Sequence, residues 1–115
     1  MTDCIVNCSK SISMMQGDSW PLEIKIKFGG EPIDTSTVEL VEISIDELVK
    51  KWPDGGVEYS KEKRVFAIRP TQEESFKMRG RKRLQARVKL KESGAVVGID
   101  FGTVEITESL SKEVL

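Results

Sequence analysis

The segment WPLEIKIKF alternates strictly, with Trp20, Leu22, Ile24, Ile26 and Phe28 on one side and Glu23, Lys25 and Lys27 on the other. A period of two predicts a strand with one buried and one wet face. Gly29 and Gly30 stop it, and Glu31-Pro32 opens the next connection. The run VELVEISI alternates through Val38 and Leu40, then continues through Val41, Ile43 and Ile45 in the opposite phase. That phase change between Leu40 and Val41 predicts a bulge or a change of buried face. Ser44 and Glu47 then have capping-box spacing, Leu48 and Trp52 lie four apart, and Pro53 ends the pattern, so one or two helical turns are expected there.

A turn at Asp54 to Gly56 leads to VEY, and KRVFAIRP supplies another strand closed by Pro70. In TQEESF, Thr71 and Glu74 again have capping-box spacing and predict a single helical turn, with Gly80 closing the connection. Leu84, Ala86, Val88 and Leu90 then alternate with Arg83, Gln85, Arg87, Lys89 and Lys91, and KESGA forms a turn with Gly94 at the φ > 0 position. The return strand AVVGIDFGTVEIT buries Val97, Ile99 and Phe101, then Val104 and Ile106. Its one-residue slip at Gly102-Thr103 predicts a glycine bulge. About six or seven short strands with little helix point to an antiparallel sandwich or barrel rather than βαβ units.

A chain of 115 residues fits one domain, read as a flexible leader over 1–10, a folded unit over 11–108 and a tail over 109–115. Its hydrophobic fraction of 38% and charged fraction of 32% suit a folded protein. No apolar run approaches the roughly 18 residues of a membrane helix. The start MTDCIVNCSK lacks the pattern of a signal peptide, so cytosolic folding is expected, with Cys4 and Cys8 as free thiols. Two cysteines and no histidine cannot complete a four-ligand zinc shell. The absence of histidine also removes Ser-His-Asp and Cys-His nucleophile systems. None of the phosphate-loop, dinucleotide, zinc-protease or nucleophile-elbow motifs occurs. The expectation is a non-enzymatic domain with no cofactor and no metal.

The stretch KMRGRKRLQARVKLK, residues 77–91, carries eight basic residues and no acidic one in a chain of formal net charge -1. Alternation puts Arg83, Arg87, Lys89 and Lys91 on the wet face of a strand, and Asp100 and Glu105 point outward on the return strand, where they face basic side chains. No aromatic residue interleaves the charge, which argues against nucleic acid and leaves a solvated face or a protein partner with an acidic surface. The candidate docking residues are Arg79, Arg81, Lys82, Arg83, Arg87 and Lys89, with the loop residues Arg79, Arg81 and Lys82 the first place to look. Trp52 and Tyr59 would form a sugar-stacking contact if exposed and coplanar; core or edge packing competes with that role for them and for Trp20. Glu73-Glu74 at a helix start and Asp18 in a turn are the other carboxylates of note.

The order of these features resembles a family of small phage and prophage virion domains, the Ig-like domain at the N-terminus of siphophage baseplate upper proteins and of related tail and fibre proteins. The resemblance rests on Gly17, Asp18, Trp20, Gly29, Gly30, Pro32, Ile33 and Asp34, then on Thr71, Glu73 and Glu74, and finally on the Gly94 hairpin, spanning roughly residues 15–107. It implies an all-β, antiparallel Ig-like β-sandwich and a structural protein of a tail, baseplate or fibre. Such a protein would assemble with other virion subunits or with itself, in the bacterial cytoplasm first and then in the virion. The alternative it implies is a carbohydrate-binding module of a host-recognition device. RKRLQARVKL stands where the family has a tyrosine-rich strand, and DELVKKW looks like an insertion, so no binding residues carry over.

Overall fold

A computed structural model describes residues 2–4, 12–19 and 21–115. In chain order the strands are β1 (Thr2–Cys4), β2 (Ile12–Met15), β3 (Leu22–Ile24), β4 (Ile26–Phe28), β5 (Glu31–Pro32), β6 (Val38–Ile45), β7 (Leu48–Trp52), β8 (Val57–Ser60), β9 (Val65–Ile68), β10 (Gly80–Leu90) and β11 (Val96–Thr107). A 3-10 turn covers Thr35–Thr37, and the helix α1 covers Gln72–Phe76. The protein is mostly β, in a five-stranded sheet of order β2-β11-β10-β6-β7 and two three-stranded sheets, β1-β4-β5 and β3-β9-β8. Cys8 and Trp20 lie outside the described residues, and residues 2–4 of the expected leader pair as β1 with Ile26–Phe28 of β4.

The spine is β10, paired on one side with β11 and on the other with β6. Its Leu84, Ala86 and Val88 are buried together with Val41, Ile43 and Ile45 of β6 and Ile99, Phe101, Val104 and Ile106 of β11. Leu22, Ile24, Ile26, Val57, Phe66 and Ile68 from the other two sheets complete the same hydrophobic cluster. Each of the fully buried aliphatic side chains stabilises by about 1.5 to 3 kcal/mol relative to exposure, before the entropy of ordering is subtracted.

Both expected phase changes are present as bulges. Lys89 faces Leu40 while Leu90 faces Val38, so Glu39 is the extra residue on β6. On the return strand, Leu84 faces Gly102 and Gln85 faces Asp100, leaving Phe101 unopposed beside Gly102 at φ 94°. Thr71 caps α1 in a full capping box: its hydroxyl accepts the Glu74 N–H and the Glu74 carboxylate accepts the Thr71 N–H. Gly94 closes the last hairpin at φ 68°.

Three expectations are corrected. The helical turn after Ser44 does not form, because Leu48–Trp52 is strand β7, paired antiparallel with β6 through Ile45–Leu48 to Val41–Trp52. A two-residue turn with Asp46 at φ 49° reverses the chain, and the long partner strand outweighs a short local helical preference. The strand read as continuous through Phe28 breaks at Lys25. Ile24 pairs with Phe66 in one sheet and Ile26 with Cys4 in another, while Leu22, Ile24 and Ile26 keep one buried stripe. Finally, β2 runs parallel to β11. No hairpin links these two strands, so nothing forces them to be antiparallel.

The connections are joined at one end by Gln16, a buried polar side chain. Its Nε2 donates to the carbonyls of Phe76 (3.1 Å) and Met78 (2.8 Å). Its Oε1 accepts from the Ser109 N–H (3.1 Å) and the Lys112 ammonium (2.8 Å). Beside it, the Gly17 N–H donates to the hydroxyl of fully buried Ser75 at 2.8 Å. Gly17 lies at φ 87°, and a Cβ there would stand 2.8 Å from the Phe76 ring, so only glycine fits. Replacing Gln16 with alanine leaves the Met78 carbonyl buried without its donor, and Q16A is expected to lose about 2 to 3 kcal/mol in chemical denaturation. A loss within a few tenths of a kcal/mol would remove Gln16 from this role.

Candidate functional site

The solvent face of the five-stranded sheet collects the basic run. Along β10, Arg81, Arg83, Gln85, Arg87 and Lys89 alternate with the buried stripe, so their side chains share one wet face. Acidic residues stand across the ladder from most of them. Arg81 pairs with Glu105 at 3.5 Å, Arg83 with Asp100 at 3.4 Å and Lys89 with Glu39 at 3.3 Å. Arg79, just before the strand, meets Glu108 at 3.6 Å. Such exposed pairs stabilise by about 0 to 1 kcal/mol each, yet they cancel the field that a polyanion would need.

Arg81 and Lys82, expected in a loop before the strand, lie within β10, and Arg79 just precedes it. Arg79, Arg81 and Lys82 each hold a carboxylate already, Lys82 through Asp46 at 3.7 Å. Among the described residues, Lys77, Arg87 and Lys91 are the members of the run without an ion pair. Arg87 lies opposite Glu42 on β6 and Gly98 on β11.

Lys82 belongs to the other face of β10, at the sheet end. There it lines a cleft of about 350 Å³ with Asp46, Glu47, Glu74 and Lys77 above Ile45, Leu48 and Met78. Asp46 is fixed by three contacts: its N–H donates to the Arg83 carbonyl, its Oδ1 accepts the Arg83 N–H at 2.8 Å, and its Oδ2 faces Lys82. Glu74, which lines the cleft, is held by Lys50, whose ammonium bridges the Glu74 carboxylate and the Arg69 carbonyl, both at 3.0 Å. Burial pushes the Glu74 carboxyl up, but the hydrogen bond from the Thr71 N–H and the Lys50 ammonium outweigh it and hold the group below its ordinary 4.5.

Trp52 and Tyr59 are brought together, but not as a stacking platform. They are partly buried against the core, their planes stand at 61°, and both rings pack on fully buried Phe66 at centroid distances of 5.6 and 4.8 Å. Edge-to-face packing of this kind supports the core and leaves no shared flat face for a sugar ring. The pair thus takes the core-packing role that competed with sugar stacking in the sequence, and its planes are not coplanar.

Sequence reading missed one arrangement. On the sheet β3-β9-β8, Glu23 and Glu58 both stand opposite Ala67, one from each side. Together with Arg69 and Pro21 they border a shallow groove of about 190 Å³. Two strand spacings put their backbones about 10 Å apart. Alternation in LEI and VEY marks each glutamate as outward, but only the strand order makes them neighbours. Glu23 is held by Lys63 at 3.2 Å. Glu73 and Asp18 do not join this groove: Asp18 instead accepts the Met15 N–H at 2.8 Å. Among the described residues no group of three or more potential ligands could hold a metal ion.

Glu74 carries a pH dependence with a definite sign. Because its folded-state value is lowered, its stabilisation is complete above the unfolded value near 4.5 and is lost as pH falls through the lower folded-state value. Wild type is expected to melt above E74Q at neutral pH, with the gap closing on acidification below 4.5. A gap that stays constant down to the acid transition would assign the cap to hydrogen bonding alone.

No family model, curated protein or solved structure matches this chain.

Proposed function

We propose that this chain is a non-enzymatic structural protein of a phage or prophage virion, of the tail, baseplate or fibre, folded as an Ig-like β-sandwich. It acts through contacts with other virion subunits, using strand edges and the charged wet face of the large sheet. The cluster shared by the five-stranded sheet and the two small sheets supports the two-layer arrangement.

The observation that carries this reading is where the residues of the resemblance fall. Gly17 and Asp18 make the turn after β2, Gly29 and Gly30 join β4 to β5, and Asp34 caps the 3-10 turn through Ser36. Thr71 and Glu74 form the capping box, and Gly94 turns the final hairpin. These residues are chain reversals, so the order of motifs is an order of turns between strands. That supports a common fold where the strands themselves have diverged. The mixed-charge face suits docking better than catalysis, since its cations already face fixed carboxylates.

Mass spectrometry of purified particles, made after induction of a lysogen that carries the gene, tests the reading. The chain is expected in the particles at a copy number matching a ring or fibre component. Its presence in the lysate together with its absence from the particles would contradict a virion role.

A further inference from the structure

The exposed apolar side chains of the described residues gather in one segment. Leu110 and Leu115 are fully exposed and Val114 is more than half exposed, all within six residues, whereas Met15, Val49 and Val96 lie on three different strands. Single exposed hydrophobics are ordinary, but a cluster marks a contact surface. Residues 108–115 belong to no helix or strand of the described fold, yet their start is firmly held. Gln16 Oε1 accepts from the Ser109 N–H and the Lys112 ammonium, and Lys112 also faces Glu108 at 3.9 Å. Beyond that anchor, Glu113, Val114 and Leu115 can extend by about 10 Å.

The acceptor lies at the same joint. Gln16 Nε2 donates to the carbonyls of Phe76 and Met78, the chain neighbours of Lys77, and Lys77 and Met78 line the cleft with Ile45, Glu47 and Leu48. One side chain therefore spans the root of the tail and the rim of the cleft. Two charges of opposite sign are left over there. Lys77 on the rim and Glu113 on the tail have no ion pair among the described residues, whereas Asp46 holds Lys82 and Lys50 holds Glu74. Within one copy the two do not meet: Lys112 is drawn back onto Gln16, and Leu115 stays exposed beside an open cleft.

We infer that two copies exchange these segments, each laying Val114 and Leu115 over Leu48 and Met78 in the other's cleft, with Glu113 against the second copy's Lys77. The inference rests on the assembly reading above and names both the partner and the contact. A reciprocal exchange closes only if donor and acceptor both lie beside the two-fold axis, and the Gln16 joint puts them there. The apolar side chains supply the driving force, and the ion pair fixes which residues meet. The anchor lowers the cost of docking, because Ser109 and Lys112 are ordered before the second copy arrives.

Sedimentation equilibrium up to millimolar concentration tests the exchange on the full chain, with charge reversals that can be mixed. Wild type is expected to reach twice its monomer mass of 12.9 kDa. Lys77→Glu and Glu113→Lys, both at exposed positions, are each expected to weaken the dimer at least about tenfold, a change of about 1.4 kcal/mol, because the two-fold axis applies every reversal twice. Circular dichroism of both is expected to match wild type. Mixing the two variants in equal amounts should restore the dimer, since in the mixed pair each cleft meets a tail of opposite charge. Leu115→Lys should weaken it as well, and Val49→Lys, exposed on β7, should leave it intact. A wild type that stays monomeric, a dimer indifferent to both reversals, or a mixture no tighter than the single variants overturns the inference. Rescue confined to the K77E/E113K double variant would place the segment in its own cleft and overturns it too. A monomer would leave docking onto other virion proteins standing, since particle composition decides that separately.

Discussion

One constraint organises this protein: β10 lies between two long partners, so each of its residues has an assigned side. Leu84, Ala86 and Val88 must face the cluster shared with the small sheets, and a register slip of one residue would bury Arg83 and Arg87 in their place. The concentration of positive charge between Lys77 and Lys91 follows from that assignment. A strand buried on one face needs polar residues on the other, and here they are arginine and lysine. Glu39, Asp100 and Glu105 on the neighbouring strands supply the counter-charges within 3.3 to 3.5 Å.

The ends of the sheets are governed by polar joints rather than by burial. Gln16 ties the turn after β2 to the segment after α1 and to the tail, satisfying both of its side-chain polar atoms. Lys50 and Glu74 tie β7 to the capping box, and Asp46 ties the β6–β7 turn to β10. These contacts lie close together, and the cleft with Lys77 and Lys82 on its rim is the space they leave. Lys77 and Lys82, the first from the turn and the second from β10, are thus part of the framework over Ile45, Leu48 and Met78.

What was legible in the sequence was local. Alternation located β10 and β11, glycine located the hairpin, and the spacing of Thr71 and Glu74 located α1. Both bulges were visible as phase slips within one or two residues. What failed was decided by distant partners. Leu48 and Trp52, four apart, satisfy a helix and a strand equally well, and only pairing with β6 selects the strand. The break at Lys25 left no mark on the buried stripe because the strand changes partners without changing face. The charged residues were placed correctly on the wet face, but which of them stay unpaired depends on cross-strand register. Arg87 within the register, and Lys77 and Lys91 outside it, are left without ion pairs among the described residues, while Arg79, Arg81 and Lys82 each hold one. Glu23 and Glu58, 35 residues apart in the chain, become neighbours only through the strand order β3-β9-β8.

The central claim is that the basic run is a self-neutralised sheet face and not a grip for a polyanion. The direct measurement is binding to duplex DNA by fluorescence anisotropy across a salt series. A neutralised face predicts weak binding with a shallow dependence of affinity on salt. Tight binding whose log–log salt slope is about −4 or steeper, as four or five phosphate contacts require, would contradict it.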